Sequence, residues 1–109
     1  LAQAALENAD LIAITPTTLC EFVWVLLRGY DIPPVEVAAA IRRLVATANV
    51  EVNRPAVEVG LALLDQGGDF ADGIIAFEGE SLGATTFASF DKDATKRLKK
   101  LGRDSLLLV

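Results

Sequence analysis

The sequence predicts an α/β protein whose largely parallel sheet is covered by helices on both faces. Short apolar runs typical of buried strands alternate with segments of helical periodicity, and a proline or a capping side chain precedes most of these helical segments. With 109 residues and a hydrophobic content of 52%, the chain has the length and the apolar material for a core. We therefore expect a single domain over residues 1–109.

Composition limits the chemistry that the chain can perform. The sequence contains no His, and Cys20 is its only cysteine. Histidine-based catalysis and histidine zinc sites are thereby excluded, so any catalysis must use carboxylates. A net charge of −5 argues against binding nucleic acid through a general cationic surface, but not against binding it through bound cations.

Other features predict where the chain works. A single cysteine permits no intrachain disulfide, and no apolar run is long enough to span a bilayer, so we expect a cytoplasmic protein without a membrane partner. Because the chain begins with Leu1 and contains no Met, it is expected to have lost an N-terminal segment.

The first third of the sequence predicts a helix, a buried strand and a second helix. Thr15 supplies a capping hydroxyl and Pro16 a proline at the first helical position, so the second helix should stop at Gly29. Apolar residues cover every side of its helical wheel, which predicts a buried helix. The three elements span residues 1–9, 11–14 and 16–28.

Glu21 lies in the middle of that second helix. An unpaired buried charge is disfavoured by several kcal/mol, so such a carboxylate needs a partner, a proton or a metal. In a structural interpretation it pairs with Arg28, Arg42 or Arg43, or lies exposed at the edge of a cleft. In a functional interpretation it binds a metal, and the residue alone does not decide between the two.

The middle of the sequence predicts two helices separated by a short strand or a strand-like connector. Pro34 opens an amphipathic helix with Arg42 and Arg43 facing outward, and Pro55 opens the next helix, which a glycine turn ends. The strand covers residues 49–52, and the second of these helices covers 55–65.

A short acidic segment, Asp-Phe-Ala-Asp-Gly-Ile-Ile-Ala at 69–76, opens the helix predicted over residues 69–82. Asp69 is the expected N-cap, and Asp72 follows near the positive end of the helix dipole. Taken alone, both acids serve only to stabilise the helix. Gly73 and Gly79 lower helix stability, so we expect close packing or the close approach of a partner at both.

Polar residues follow the strand predicted over residues 84–88. Because sites in open α/β sheets form past the carboxyl ends of strands, Asp91 is a candidate functional residue. The alternative is that Asp91 caps the next helix, predicted over 92–101. A final strand is predicted over 105–109.

The helix over 92–101 is basic toward its carboxyl end. This charge suits the helix dipole, and a solvated helix face is one interpretation of it. The other is a local positive field for RNA. The basic residues are Lys96, Arg97, Lys99 and Lys100, with Arg103 just beyond.

Glu21, Asp72 and Asp91 are expected to converge at one edge of the parallel sheet. Three carboxylates drawn together repel unless cations lie between them, and oxygen-only ligation selects hard ions such as Mg²⁺ or Mn²⁺. Such an ion polarises a phosphate and activates water for an in-line attack. The three acids are therefore candidate catalytic and metal-binding residues.

Taken in order, three segments resemble the PIN domain, most closely the VapC-type toxin ribonucleases of toxin–antitoxin pairs. Ile-Thr-Pro-Thr-Thr-Leu-Cys-Glu-Phe at 14–22 resembles the family segment with its helix glutamate. Segment 69–76 is similar to the family's Asp-Phe-x-Asp-Ala helix, and Thr-Phe-Ala-Ser-Phe-Asp-Lys-Asp at 86–93 to its Thr-Phe-Asp-x-Asp turn. The resemblance covers essentially the whole chain and implies a three-layer α/β/α fold.

This resemblance implies a metal-dependent endoribonuclease, the toxin of a toxin–antitoxin pair, that hydrolyses RNA phosphodiester bonds with Mg²⁺ or Mn²⁺. Carried over position by position, Glu21, Asp72 and Asp91 become metal-binding or water-positioning carboxylates. Ser89 becomes a hydroxyl beside the site, and Asp93 an acid that supports the ligands. The resemblance also implies a homodimer and a VapB-like antitoxin that blocks the acidic pocket, often with a basic side chain.

One part of the family pattern has no counterpart in this sequence. PIN domains begin with a strand that carries Asp followed by Thr or Ser and Asn, and this strand lies between the counterparts of 11–14 and 84–88. A sheet without it leaves backbone groups unpaired, so we expect the strand in the native protein, as a separate fragment or an untraced segment. Direct pairing of 11–14 with 84–88 would contradict this expectation.

Two other functions compete with a nuclease. A PIN-fold binding module with an incomplete site would act only through partners, and RNA hydrolysis with Mn²⁺ that is lost in Asp72→Asn would argue against it. A metal-dependent phosphatase of an unrelated α/β fold would need a phosphate-anchoring lysine or a glycine-rich loop, and the sequence shows neither.

Overall fold

The computed structural model describes residues 10–109 together with Ala4 and Asn8. Apart from these two residues, the helix predicted over 1–9 lies outside the described residues. In chain order the elements are β1 (Ile12–Ala13), α1 (Pro16–Trp24), a π-helical turn (Val25–Gly29), α2 (Pro34–Val45), β2 (Val50–Glu51), α3 (Arg54–Asp65), α4 (Phe70–Ser81), β3 (Phe87–Ser89), α5 (Lys92–Lys100) and β4 (Ser105–Leu107).

The helices begin where capping side chains and prolines predict. The Thr15 hydroxyl accepts the N–H of Thr18 at 3.2 Å, and the Asp69 carboxylate accepts that of Ala71 at 2.9 Å. Each cap satisfies an amide of the first turn that has no partner inside its helix. The prediction of Asp69 as an N-cap is thereby confirmed.

Helix α1 differs from its prediction in two ways. The predicted helix over 16–28 is an α-helix only as far as Trp24, and a π-helical turn then closes with the N–H of Tyr30 on the carbonyl of Val25 at 3.1 Å. The expected all-round burial is wrong, since Phe22 and Trp24 are 40% and 63% exposed. The helix buries one face against α4 through residues such as Leu19 and leaves the opposite side open.

The four strands pair in parallel, as predicted, but they form two separate sheets in the described part of the chain. Strand β1 pairs with β2, and β3 pairs with β4. No pairing joins β1 to β3 among residues 10–109. The direct pairing that would contradict an intervening strand is therefore not found there, and the intervening strand itself stays a prediction.

Each strand pair presents a second edge beside the one that it uses. The N–H groups of Ile12 and Phe87 donate across their pairs at 2.7 and 3.0 Å. Because backbone groups of alternate residues in a strand point to opposite edges, those of Ala13 and Ala88 face away from β2 and β4. Since no strand within residues 10–109 pairs there, we call these the free edges of β1 and β3.

The core lies mainly between helices and fixes the start of α4. Phe70, at the first position of α4, is almost fully buried and packs where α3 has Gly60. A Cβ atom added to Gly73 would lie 2.6 Å from the carbonyl oxygen of Val59, so close packing is confirmed at Gly73. At Gly79 an added Cβ atom would meet its neighbour at 3.9 Å, an ordinary contact, and the close packing predicted there is not found.

A second, smaller buried cluster holds α5 against α3 and α4. It joins Leu63, Ala76 and Leu98, one residue from each helix. This contact holds α5 in place against the other two helices, and the N-cap Asp91 sets where α5 begins. The acidic starts of α4 and α5 are consequently positioned by the core rather than by flexible loops.

The described helices are short. The longest have 12 residues, whereas a bilayer crossing needs about 20. None of the helices described here has the length and apolar character to cross a membrane.

Candidate functional site

A cavity of about 590 Å³ lies between α1, the turn before α4 and the first turns of α4 and α5. We call it the acidic cavity, because five carboxylates line it. Two arginines, Arg28 and Arg97, line it as well. The carboxylates are Glu21, Asp69, Asp72, Asp91 and Asp93.

Glu21 reaches the acidic cavity from α1. It is exposed, so the buried position expected from its apolar neighbours is wrong. Arg42, one of its three proposed partners, instead pairs with Asp65 at 2.7 Å. Of the alternatives left open by the sequence, exposure at the edge of a cleft describes Glu21 best, and this position is also open to a ligand.

Asp69 and Asp72 enter the acidic cavity from one turn of α4. Asp69 is occupied as a cap, whereas Asp72 lies inside the first turn, with its N–H donating to the carbonyl of Asp69 at 3.1 Å. The Asp72 side chain is half-buried beneath the cavity rim. The two acids thus divide into a capping residue and one whose carboxylate faces the cavity without a capping role.

The surroundings of Asp72 favour its neutral form. Burial is the largest cause, followed by the negative charges of Asp69 and Asp91, and together they raise the pKa of Asp72 to about 6. Charge effects of this kind require that the carboxylates lie close enough to repel one another. The starts of α4 and α5 therefore form one electrostatic unit.

Asp91 has a structural role at the start of α5. Its Oδ1 atom accepts the N–H groups of Asp93 at 2.9 Å and Ala94 at 3.1 Å. The Ser89 hydroxyl accepts the N–H of Asp91 at 3.0 Å, which fixes the turn between β3 and α5. The capping alternative is therefore correct, and it is compatible with a functional role, because these bonds use one of two carboxylate oxygens.

The acids fit a hard cation by their chemistry rather than as an assembled cluster. Oxygen donors suit Mg²⁺ or Mn²⁺, and a cation would offset both the burial and the repulsion that raise the pKa of Asp72. Among residues 10–109, however, no three carboxylate, cysteine or histidine side chains are grouped as ligands of one ion. Glu21, Asp72 and Asp91 share the acidic cavity without forming a preassembled metal centre.

Sequence reasoning missed two residues that line the acidic cavity. Trp24 follows Glu21 by three residues and Arg97 follows Asp93 by four, which are the spacings that put side chains on one helix face. That spacing is a usable signal. Two other patterns obscure it, because Trp24 also fits an apolar helical wheel and Arg97 also fits a general basic patch.

Cys20 also lines the acidic cavity, and its environment disfavours reactivity. Burial, and then the charges of Asp69 and Glu78, raise the pKa of its thiol. Because the thiolate is the nucleophilic form, Cys20 is a poor candidate for nucleophilic catalysis. The acids and arginines carry the chemistry that the cavity offers.

No family model, no curated protein and no solved structure matches the chain.

Proposed function

We propose that the chain is a metal-dependent endoribonuclease of the PIN type, with a three-layer α/β/α fold. The observation that carries this proposal is the acidic cavity. Glu21, Asp72 and Asp91 come from three separate segments of the sequence and line one cavity, where burial and then the charges of Asp69 and Asp91 raise the pKa of Asp72. Acids brought together in this way suit a hard cation and a phosphodiester.

In this proposal Glu21, Asp72 and Asp91 hold Mg²⁺ or Mn²⁺, with Ser89 and Asp93 fixing the turn that carries Asp91. The ion supplies positive charge that polarises a phosphodiester and acidifies water. Asp72, whose pKa is about 6 without an ion, would be held in its charged form by the ion.

Two arginines complement the acids. Arg28 and Arg97 line the same cavity, where guanidinium groups orient a phosphate by charge-assisted hydrogen bonds. The site therefore contains both the anionic groups that suit a cation and the cationic groups that suit a substrate phosphate.

The proposal includes the partners that the resemblance implies. RNA is the substrate, in the cytoplasm, and the chain is the toxin of a pair whose VapB-like antitoxin blocks the acidic cavity with a basic side chain. A second copy of the chain completes a homodimer. Exposed apolar side chains such as Tyr30 and Val35 offer surface for such a contact.

The test is RNA cleavage by the native protein with Mn²⁺. We expect cleavage by the wild type and a loss of at least about 100-fold in kcat/KM for Asp72→Asn, because the variant removes one anionic oxygen from the cavity. Glu36→Gln is the matched control, since Glu36 is also a first-turn acid but lies on α2. Equal activity in all three proteins would overturn the assignment of the site.

A binding module with an incomplete site is the second candidate. It is favoured by one observation, namely that the described acids are not grouped as ligands of one ion. Such a module would bind RNA but leave it intact at every Mn²⁺ concentration. Cleavage that follows Mn²⁺ concentration and is lost in Asp72→Asn would exclude it.

A further inference from the structure

A second groove adjoins the acidic cavity. It measures about 440 Å³ and is lined by Gln66, Asp93, Lys96, Arg97 and Lys100, and we call it the basic groove. Asp93 and Arg97 line both spaces. The two are therefore adjacent, with acids on one side of Arg97 and lysines on the other.

Arg97 is held in place at the junction. Its Nη1 atom donates to the carbonyl oxygen of Gln66. Its aliphatic part crosses the turn directly above Gly68, where an added Cβ atom would lie 2.7 Å from the Cδ atom of Arg97. A guanidinium fixed in this way is prepared to bind an anion with little loss of side-chain entropy.

The charge of the basic groove is opposite to that of the chain as a whole. Lys96, Arg97 and Lys100 face the single acid Asp93 in the groove, whereas the whole chain carries −5. Lys96 and Lys100 are four residues apart on α5, and like charges at that spacing destabilise a helix. An anion in the groove would remove this repulsion.

The helix dipole does not account for this arrangement. It favours lysines near the carboxyl end of α5 on any face of the helix, and Lys99 satisfies it equally while lining neither space. What the dipole leaves unexplained is the gathering of three cations on the face that borders the acidic cavity.

We propose that the basic groove binds the phosphate backbone of single-stranded RNA next to the phosphodiester that lies in the acidic cavity. Arg97 contacts the phosphate at the junction, and Lys96 and Lys100 contact those that follow. This proposal rests on the proposed function, because it extends the substrate path from the same cavity. It assigns a side to the RNA: the strand leaves the cavity along α5.

The experiment compares two double variants of the native protein. Lys96→Ala/Lys100→Ala removes two charges from the basic groove, and Lys92→Ala/Lys99→Ala removes two from the same helix away from it. Binding of a labelled single-stranded RNA is measured by fluorescence anisotropy without divalent metal, at several salt concentrations. Circular dichroism checks that both variants keep the wild-type helix content.

We expect the groove variant to bind RNA about 10-fold more weakly than the wild type. The slope of log K against log salt concentration should also be less steep, by roughly 0.7 for each phosphate contact that is lost. The control variant should bind like the wild type. Trp24, the only tryptophan, lines the acidic cavity, so its emission should change when RNA binds to the wild type in a parallel titration with Ca²⁺, which neutralises the carboxylates.

Equal weakening in both double variants would overturn the proposal, since it would indicate a diffuse charge effect. Unchanged Trp24 emission would also overturn it, because the bound RNA would then not reach the acidic cavity. Displacement of RNA by polyglutamate at equal charge would overturn it as well, since it would indicate an acidic protein partner. Groove-dependent RNA binding without cleavage in Mn²⁺ would overturn the nuclease and retain the groove. Cleavage at the wild-type rate by Lys96→Ala/Lys100→Ala would overturn the groove and retain the nuclease.

Discussion

At the scale of single residues, Asp72 is where the fold and the chemistry of the site conflict. Burial and two neighbouring acids disfavour its charged form, although a carboxylate must be charged to bind a cation. In the metal-free protein this conflict lowers stability at neutral pH. We therefore expect the stability of the folded protein to depend both on pH and on a bound metal ion.

The pH effect has a definite sign. The pKa of Asp72 is about 6 in the folded protein and about 3.9 in an unfolded chain, so between these values the folded state binds more protons. The free energy of unfolding should therefore fall as pH rises from about 4 to about 6. After allowance for solvent screening, we expect a change of about 1–2 kcal/mol.

Urea unfolding of the wild type and Asp72→Asn in a chelator, across this pH range, measures the effect. The difference between the two proteins cancels the contribution of other acids. As pH rises, the free energy of unfolding of Asp72→Asn should increase relative to that of the wild type. Above the pKa of Asp72 the difference should stay constant. Two parallel curves would mean that the fold does not disfavour the charged form of Asp72.

A bound metal ion should raise the stability of the folded protein. Mn²⁺ or Mg²⁺ should raise the melting temperature of the wild type at neutral pH, because an ion that binds only the folded state stabilises it, by about 2.7 kcal/mol at 100 times its Kd. Asp72→Asn should lose most of this rise, and Glu36→Gln should keep it. Differential scanning fluorimetry distinguishes these outcomes, and an equal rise in all three proteins would indicate binding elsewhere.

Local chemistry made some site residues predictable and others not. The capping roles of Asp69 and Asp91 depend on neighbouring amides and can be inferred from sequence. The exposure of Glu21 depends on which surfaces are available to cover α1, which a helical wheel does not contain. Arg97 was assigned to a general patch because only the packing of α5 shows which face borders the cavity.

At the scale of elements, the crossing of α3 and α4 sets the position of the acidic helix start. Gly73 brings the two backbones together, since an added Cβ atom would lie 2.6 Å from the carbonyl oxygen of Val59 and 2.7 Å from the Cα atom of Gly60. Backbone atoms cannot move aside as a flexible side chain can. A larger residue at Gly73 must separate the helices.

Two alanine substitutions in α4 should therefore have opposite effects. Gly73→Ala should destabilise the protein by about 2 kcal/mol, because overpacking outweighs the gain in helix propensity. Gly79→Ala should stabilise it by roughly 0.5–1 kcal/mol, because its methyl group meets only an ordinary contact. Chemical denaturation of both variants provides the comparison, and the same sign for both would contradict the packing argument.

The starts of the helices are predictable from the sequence, whereas the lengths of the strands are not. Helix starts follow from Thr15, Asp69 and the prolines, and they agree with the structure within about one residue. The strands were predicted with four or five residues and have two or three, because the extent of a strand depends on its partner. Gly73 and Gly79 are both glycines inside a predicted helix, and only the packing of α3 against Gly73 distinguishes them.

At the scale of the whole molecule, the expected parallel sheet is what predicts a common site for the three acids. They do line one cavity, although the strands of residues 10–109 form two sheets rather than one. Segments 14–22, 69–76 and 86–93 each contribute a side chain to the acidic cavity. The parallel pairing of the strands was also predictable, and it is confirmed. Their division into two sheets is not predictable from the sequence, because the pairing of strands distant in the chain depends on how the helices between them pack.

The free edges of β1 and β3 give the last prediction. An open strand edge offers unpaired N–H and C=O groups to solvent or to another chain. In the 109-residue chain, the amide protons of Ala13 and Ala88 should exchange with solvent faster than those of Ile12 and Phe87, which donate across their pairs. Hydrogen exchange followed by NMR at low protein concentration measures the four rates. If Ala13 and Ala88 are instead as protected as their neighbours, and the protection increases with concentration, a second copy of the chain covers these edges.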